Sequence, residues 1–181
     1  PHVDPRDLGT LVHAVMERID FGNLGNAAKE VAQWCELLAP ELVELHAEHA
    51  AGLAQEMVER FVKSPRGKQL AEATSIQKEV EFLLAWPPDA PPDELVGTGR
   101  YLQGFIDCLY QDAAVKWHIL DYNTNNVSEP KSAATGKQYE LQLYVYAMAI
   151  ERALGQPPTE LTLHFLRPGI EHTFPWNEAA R

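Results

Sequence analysis

The hydrophobic pattern of this chain changes its period once, and that change restricts the possible folds more than any other feature of the sequence. From Leu8 to Ile19, and in further stretches up to about residue 74, apolar residues recur every three or four positions, which predicts amphipathic helices. At Ile76 the apolar residues begin to alternate with polar ones, which predicts strands. We therefore predict a helical part over about residues 1–74 and a sheet core over about residues 75–181.

The second part of the chain predicts an antiparallel hairpin followed by a crossover. The strands Arg100–Gln111 and Ala114–Tyr122 are separated by so few residues that they should pair with each other. A helix over Gly136–Leu154 then leads to a strand near Leu161–Arg167, and a strand, helix and strand within one sheet form a right-handed parallel unit. We therefore predict an α/β fold with a mixed central sheet flanked by helices. The remaining expected elements are a first strand from Ile76 to Trp86, a proline-rich loop from Pro87 to Pro92 and a short last strand from Glu171 to Phe174.

Length, charge and cysteine content restrict the class of protein. The 181 residues, 45% hydrophobic and 23% charged, fit a single compact domain. A formal net charge of −11 gives no overall attraction to nucleic acid or anionic membranes. Two cysteines are too few for a disulfide framework or an iron–sulfur cluster, which favours the cytoplasm. The chain has no membrane-length apolar run, no signal peptide and no initiator Met, so we expect a fragment cut from a longer protein.

Two aspartates interrupt apolar strands. Asp107 lies in Gly104-Phe-Ile-Asp-Cys108 and Asp121 lies in Ile119-Leu-Asp-Tyr122, where an unpaired carboxylate is expensive to bury. A divalent cation between neighbouring strands would remove both the desolvation penalty and the mutual repulsion. The alternative is that each Asp caps a strand end or binds nearby backbone amides. Together, the two aspartates favour a metal site.

Four more residues are candidates for the same site. His13 on the first helix could add a nitrogen ligand, or it could be an ordinary helix-face histidine. Glu79 is expected on the strand face opposite Ile76 and Val80, looking either toward the aspartates or into solvent. Gln142 and Tyr146 are four apart on one helix face, either as donors to a phosphate backbone or as interfacial core residues.

The order of these motifs resembles the RecB-type nuclease domain of the PD-(D/E)XK superfamily, and in particular the C-terminal nuclease domains of the RecB and AddA helicase–nucleases. No single motif is specific, but the set spans Gly9 to about Arg167 in the right order. The motifs are Gly9-Thr-Leu-Val-His13 followed by Glu17, Lys78-Glu-Val-Glu-Phe82, Gly104-Phe-Ile-Asp107, Ile119-Leu-Asp-Tyr-Asn-Thr-Asn125 and Gln142-Leu-Tyr-Val-Tyr146.

The resemblance implies a restriction-endonuclease-like core and a role for each candidate residue. The cofactor would be Mg²⁺ or Mn²⁺, and the DNA would be cut without base recognition. The implied roles are metal ligation by His13, Asp107, Asp121 and the backbone carbonyl of Tyr122, catalysis by Asp107, Asp121, Glu79 and the residue at position 123, and support of the site and the DNA by Gln142 and Tyr146.

One departure from the family pattern bears on activity. The pattern after the second aspartate is Asp-Tyr-Lys-Thr, and Asn123 stands at the lysine position. That lysine is expected to orient the attacking water and offset charge on the scissile phosphate, and loss of one such donor commonly costs on the order of 10²–10³ in rate. The lysine was replaced on purpose, lost by natural decay, or moved to another element. Lys116 has the wrong strand parity for that role, and Lys137 is the better candidate.

We therefore expect a weak or inactive metal-dependent DNA nuclease domain that acts in DNA end processing and recombinational repair. The expected partners are DNA ends, a helicase segment of the same polypeptide and a partner helicase–nuclease subunit, with no membrane and a nucleoid-associated place in the cytoplasm. The alternative from another class is a non-catalytic module that binds DNA ends or a partner. A phosphodiesterase acting on RNA is a third possibility.

Overall fold

The computed structural model describes residues 1–87 and 100–177. The first 74 residues are helical and the strands begin at Ser75, as the change of period predicts. The helices are α1 (Pro5–Arg18), α2 (Ala27–Leu42), α3 (Ala47–Lys63), α4 (Pro65–Ala71), α5 (Glu129–Lys137) and α6 (Glu140–Leu154), with a 3₁₀ turn at Leu24–Asn26. The strands are β1 (Ser75–Ala85), β2 (Tyr101–Gln111), β3 (Trp117–Asn123), β4 (Glu160–Phe165) and β5 (Ile170–Phe174).

The five strands form one sheet in sequence order. Strand β2 is antiparallel to both β1 and β3, so the predicted hairpin is confirmed. Strand β4 is parallel to β3, from which it is reached through α5 and α6, and β5 closes the sheet as an antiparallel edge. The predicted α/β fold with a mixed sheet is thus confirmed. Most of the predicted loop from Pro87 to Pro92 lies outside the described residues.

The helix expected over Gly136–Leu154 is two helices. Helix α5 begins earlier than predicted, at Glu129, and ends at Lys137. The backbone N–H groups of Gln138 and Tyr139 donate to the carbonyls of Thr135 and Gly136, so the ladder tightens into a turn before α6 begins. The sequence prediction was wrong here because the polar stretch before Gly136 has little of the apolar periodicity that identifies a helix.

The core lies on both faces of the sheet. On one face, helices α1 to α3 pack against Cys108, Tyr110, Leu120 and Tyr122. On the other face, α6 packs against β1 to β4. Because successive residues of β3 point to opposite faces, Leu120 and Tyr122 face the helical part while Ile119 faces α6. Among the helices of the described chain, none is long and apolar enough to cross a membrane.

Candidate metal centre

Strands β2 and β3 separate at the two predicted aspartates. Their ladder ends at the pair Cys108 and Leu120, one position before Asp107 and Asp121 would face each other. Beyond that point β2 remains paired with β1, and β3 remains paired with β4. One Asp107 carboxylate oxygen, Oδ2, accepts the backbone N–H of Tyr122 at 2.7 Å. This bond satisfies a donor that the ladder no longer uses, and it fixes the Asp107 carboxylate in the gap.

The pairing of β1 with β2 is interrupted at the same place, and beyond it the side chains of both strands face the opposite side of the sheet from the one that their alternation predicts. Lys78 pairs with Cys108 and Val80 with Ile106, but between them Glu79 and Asp107 are unpaired. The φ angle of Glu79 is +49°, in the left-handed region that residues other than glycine rarely adopt. Such backbone strain costs on the order of 1–3 kcal/mol and is common at functional sites.

This interruption of β1 corrects our expectation about which faces of the sheet its apolar residues occupy. We expected Ile76 and Val80 to share a face, because they are four positions apart and every second residue of a strand faces the same side. Ile76 instead packs with the cluster of α1 to α3, and Val80 packs with the cluster of α6. The prediction was wrong because the regular alternation of the strand is interrupted at Glu79.

Helix α1 brings His13 to the gap. Gly9 lies so close to the end of β3 that an added Cβ would be 3.3 Å from Thr124 Oγ1, so a larger residue would require the Thr124 side chain or α1 to shift by a few tenths of an ångström. His13 Nδ1 lies 3.3 Å from Asp107 Oδ1. One ligand atom from each of His13, Glu79 and Asp107 lies within 4.8 Å of the others. An imidazole nitrogen with carboxylate oxygens is a donor set that fits Mn²⁺, and Mg²⁺ prefers the oxygens.

Asp121 approaches the same gap from the side of α6. It is buried, and Gln142 Nε2 donates to its Oδ1 at 3.4 Å. The same Gln142 amide donates to the Tyr146 hydroxyl at 2.7 Å. Gln142 therefore contacts both Tyr146 and Asp121, and the structure brings both predicted polar residues of α6 to the aspartates.

The charges in this gap are unbalanced. Burial, followed by the charge of Asp107, raises the pKa of Asp121 well above its usual range. Burial and the same neighbour also raise the pKa of Glu79. Burial lowers the pKa of His13, but its hydrogen bond to Asp107 and the nearby carboxylates outweigh that effect, so the net shift is upward. Three carboxylates face one imidazole, and a cation would relieve their repulsion.

The side chain of Asn123 is fixed by a hydrogen bond within the turn that follows β3. Its Oδ1 accepts the backbone N–H of Asn125 at 2.8 Å, which closes an Asx turn at the end of β3. The neighbouring Tyr122 ring is buried and makes edge contacts with Phe61 and His13, with ring centroids 5.4 and 6.2 Å apart. The backbone of Tyr122 therefore reaches the gap, while its side chain packs in the core.

The lysines near this part of the sheet point elsewhere. Lys116 lies in the turn between β2 and β3, and Lys137 is exposed at the end of α5. Lys78 precedes Glu79, but its Nζ donates to the carbonyl oxygens of Glu17 and Ile19 at the end of α1. Across residues 1–87 and 100–177, no lysine Nζ lies within 4 Å of a carboxylate oxygen of this site.

Comparison of the sequence with known proteins identifies a family and several relatives. The profile of the PD-(D/E)XK nuclease superfamily matches residues 1–178. The chain is 33% identical over 175 residues to an ATP-dependent helicase/nuclease subunit of Pelotomaculum thermopropionicum, covering 91% of this chain and 13% of that protein. The corresponding proteins of Anoxybacillus flavithermus and Acetivibrio thermocellus are 30% and 28% identical, over 86% and 89% of this chain. The chain spans only about an eighth of the length of these relatives, 12–13%.

Proposed function

The chain belongs to the PD-(D/E)XK nuclease superfamily, and we propose that it is a divalent-metal-dependent DNA nuclease domain whose hydrolytic activity is weak or absent because Asn123 stands where the family has a lysine. The observation that carries the proposal is the meeting of His13 from α1 with Glu79 and Asp107 from two strands, next to the buried Asp121 of a third strand, whose pKa these charged groups shift. Within the described parts of the chain no lysine amine balances these carboxylates, and the family is a nuclease family.

We assign the metal to His13, Asp107, Asp121 and the backbone carbonyl of Tyr122, with Glu79 beside them. When bound, Mg²⁺ or Mn²⁺ would polarise a phosphate oxygen and lower the pKa of a coordinated water. The Tyr122 N–H holds the Asp107 carboxylate, and the Gln142 amide holds that of Asp121. These bonds keep the ligands in place before the ion arrives.

We expect the activity to be weak because the cation of the family lysine is missing at position 123. A lysine at position 123 would place a cation next to the scissile phosphate, whereas the Asn123 oxygen is used by its own turn. Loss of one preorganised donor of this kind lowers the rate by roughly 10²–10³. Metal binding does not need that lysine, so we expect metal affinity to survive.

The larger context is also part of the proposal. The relatives are named helicase/nuclease subunits, and this chain matches a small part of each. We propose that a helicase segment of the same polypeptide and a partner subunit deliver DNA ends to this domain at the nucleoid, during end processing and recombinational repair. Delivery by other parts fits a domain with a net charge of −11, which attracts phosphates poorly by itself.

The decisive experiment is restoration of the lysine. We expect Asn123→Lys to cut single- or double-stranded DNA in Mg²⁺ or Mn²⁺, and the double variant Asn123→Lys/Asp107→Ala to be inactive. The unchanged chain should be slower than the Asn123→Lys variant by roughly 10²–10³. A parallel assay on RNA separates a deoxyribonuclease from a general phosphodiesterase. A folded Asn123→Lys variant that binds Mn²⁺ but cuts neither nucleic acid would overturn the nuclease proposal.

The second candidate is a non-catalytic module that binds DNA ends or a partner. The Asx turn favours it, because Asn123 is the acceptor that closes the end of β3 and a lysine could not replace it in that bond. On this alternative, Asn123→Lys would lower the free energy of unfolding by about 1 kcal/mol, a typical value for one hydrogen bond, and would create no cleavage.

A further inference from the structure

We propose that Lys78 is a positioning residue of the metal centre, which holds the end of α1, the helix of His13, against the part of β1 that carries Glu79. This inference rests on the proposed function, because the site that Lys78 serves is the proposed metal centre. In this role Lys78 contacts no reacting group. It acts through the backbone, by fixing how two groups from different elements stand relative to each other.

The side chain of Lys78 caps the carboxyl end of α1. Its Nζ donates to the backbone carbonyl of Glu17 at 3.1 Å and to that of Ile19. The last carbonyls of a helix have no partner within the helix, and the helix dipole also favours a cation beside them. Here the cation comes from a strand that is 61 and 59 residues away along the chain, so the cap links two elements of the fold.

Lys78 faces α1 because of its place in β1. It pairs with Cys108 and lies two positions from Ile76, and both of these residues pack in the cluster of α1 to α3. Its Nζ also lies 4.7 Å from the centroid of the Phe21 ring, in the loop after α1. The amine is therefore used by α1 and its following loop, and its bonds do not go to the carboxylates of the gap.

This link joins two places where the metal centre needs a fixed geometry. His13 lies four residues before Glu17, about 6 Å or one turn along the same face of α1. Glu79 directly follows Lys78 and has the left-handed φ of +49°. A strained backbone persists only where its surroundings fix it. Glu79 is fixed by the Lys78 link on one side and by the paired Val80 on the other.

Core packing holds α1 in the fold but places it less finely than a metal requires. The buried face of α1 remains without the Lys78 amine, and it consists of Leu8, Leu11, Val12, Val15 and Met16. Metal–ligand distances must lie within about 0.2 Å of their usual values. A site whose supporting contacts are missing can be about 1 Å too loose although every ligand is present. We therefore expect loss of the amine to weaken metal binding and to leave the chain folded.

The test measures Mn²⁺ affinity by isothermal titration calorimetry. Lys78→Met removes the amine and keeps an apolar stem beside Phe21. Its affinity should be lower than that of the unchanged chain by roughly tenfold, the lower end of the range for residues that orient metal ligands. Lys78→Arg keeps a cation that can donate to both carbonyls, so it should bind Mn²⁺ more tightly than Lys78→Met does.

A matched control breaks a link of the same kind elsewhere. Arg60, at the end of α3, donates to the backbone carbonyls of Leu166 and Arg167. Arg60→Met should bind Mn²⁺ as the unchanged chain does. Urea denaturation of Arg60→Met and Lys78→Met gives the stability of each. A general effect of lower stability on metal binding would appear in both variants, whereas a positioning effect appears in Lys78→Met alone.

A double-mutant cycle shows whether Lys78 acts through α1. When His13 is replaced by alanine, the exact position of α1 no longer matters for ligation. Lys78→Met should therefore change Mn²⁺ affinity by less than about twofold in the His13→Ala background, because the two substitutions remove the same interaction. An equal loss with and without His13 would overturn the inference.

Two further results would also overturn it. One is a Lys78→Met variant whose Mn²⁺ affinity stays within about twofold of the unchanged chain. The other is an Arg60→Met variant that loses as much affinity as Lys78→Met. Any of these results, together with Mn²⁺ uptake by the unchanged chain and cleavage by Asn123→Lys, leaves the proposed function standing. Absence of both uptake and cleavage would instead remove the proposed function and this inference with it.

Discussion

In the part of the chain that the structure describes, two clusters of charged side chains stand out around the sheet, and one of them is balanced by an internal arginine. The balanced one is the Arg66 network, made of Arg66, Tyr110, His118, Glu160, His164 and Glu171. Arg66 is 7% exposed, and its guanidinium donates to Glu171 at 2.8 Å, to Glu160 at 3.0 Å and to the Tyr110 hydroxyl at 2.8 Å. The unbalanced one is the gap that holds Asp107, Asp121 and Glu79.

The same type of residue has opposite properties in the two clusters. Hydrogen bonds from His118 and Arg66 lower the pKa of Glu160 to about 2. Burial raises the pKa of Glu171, but bonds from His164 and Arg66 outweigh it and bring the value to about 2. In the gap, burial and neighbouring carboxylates raise the pKa of Asp121 and of Glu79.

The difference in pKa distinguishes carboxylates that stabilise the fold from carboxylates that are available to bind a ligand. Carboxylates whose partners are supplied by the chain hold elements together. Glu160 and Glu171 are partly exposed, and their shared partner, the buried Arg66, joins α4 to β2, β4 and β5. Buried carboxylates without enough internal cations are kept at a cost in stability, and such a cost is typical of sites that bind something.

The largest expected effect is the loss of Arg66. Arg66→Met removes the buried guanidinium between Glu160 and Glu171 and leaves these two partly exposed carboxylates without their shared partner, so the free energy of unfolding should fall by about 3 kcal/mol, the lower end of the range for breaking a buried pair. Urea denaturation measures it. The control is Lys63→Met, which breaks the exposed pair with Glu59 and should cost at most about 0.5 kcal/mol. A loss below about 1 kcal/mol for Arg66→Met would mean that the network does not hold these elements together.

Metal should stabilise the gap and not the network. If Mn²⁺ binds the folded chain alone, a concentration of 100 times Kd should raise the free energy of unfolding by about 2.7 kcal/mol, and EDTA should reverse the gain. Asp107→Asn should remove the response. Glu171→Gln, which alters the balanced cluster, should keep it. Equal melting temperatures for the unchanged chain in Mn²⁺ and in EDTA would contradict the assignment of the metal centre.

Removing one carboxylate charge should change the free energy of unfolding in opposite directions in the two clusters. Glu160→Gln should destabilise the fold by roughly 1.5–3 kcal/mol, because hydrogen bonds to charged partners are lost. Asp121→Asn should stabilise the metal-free fold by roughly 0.5–2 kcal/mol, since it removes a buried charge. The pKa directions set the pH limits of both effects, and chemical denaturation over a pH series measures them.

The direction in which stability changes with pH follows from how many protons the folded and unfolded chains bind. The pKa of Glu160 is lowered, so its contribution is complete above its ordinary value of 4.5 and is lost as the pH falls toward about 2. The pKa of Asp121 is raised, so the ionised group destabilises above its ordinary value of 3.8 and the benefit of Asp121→Asn should vanish below it. Destabilisation by Asp121→Asn at neutral pH without metal would show that the two clusters are alike.

Local patterns predicted the elements and several members of the gap. The 3.6-residue period identified α1, and the change of period placed the start of the sheet correctly. Asp107 and Asp121 were found because each is a lone acid within an apolar strand, a local signal. The interruption at Glu79 was missed, although Lys78 between Ile76 and Val80 was a signal that the apolar face is interrupted there.

The Arg66 network could not be predicted from the sequence. Arg66 is 94 residues from Glu160 and 105 from Glu171 along the chain, so no spacing rule connects them. His118 and His164 lie in no local motif either, and their roles depend on which strands become neighbours. Pairing of this kind appears only after the sheet has its order, which the sequence constrains but does not specify residue by residue.

The smallest expected effect comes from His118, whose ring lies between Glu160 and Asp112 at 3.0 and 2.8 Å. Burial lowers its pKa, but hydrogen bonds to these two carboxylates raise it above 6.5 overall. The folded chain therefore binds this proton more tightly than the unfolded chain does. The stabilisation is complete below pH 6.5 and is lost as the pH rises through the folded pKa.

His118→Gln tests this last effect. The raised pKa of His13 gives the unchanged chain a loss of stability in the same direction, so the informative quantity is the difference between the two proteins. Below pH 6.5 the unchanged chain should be more stable by about 1 kcal/mol, as expected for a charged hydrogen bond between the buried His118 and partly exposed carboxylates, and the difference should shrink as the pH rises further. Urea midpoints from pH 5 to pH 9 measure it. A difference that stays constant across this range would mean that His118 contributes to the network through packing alone, for instance through its stack on Tyr110 with centroids 4.9 Å apart.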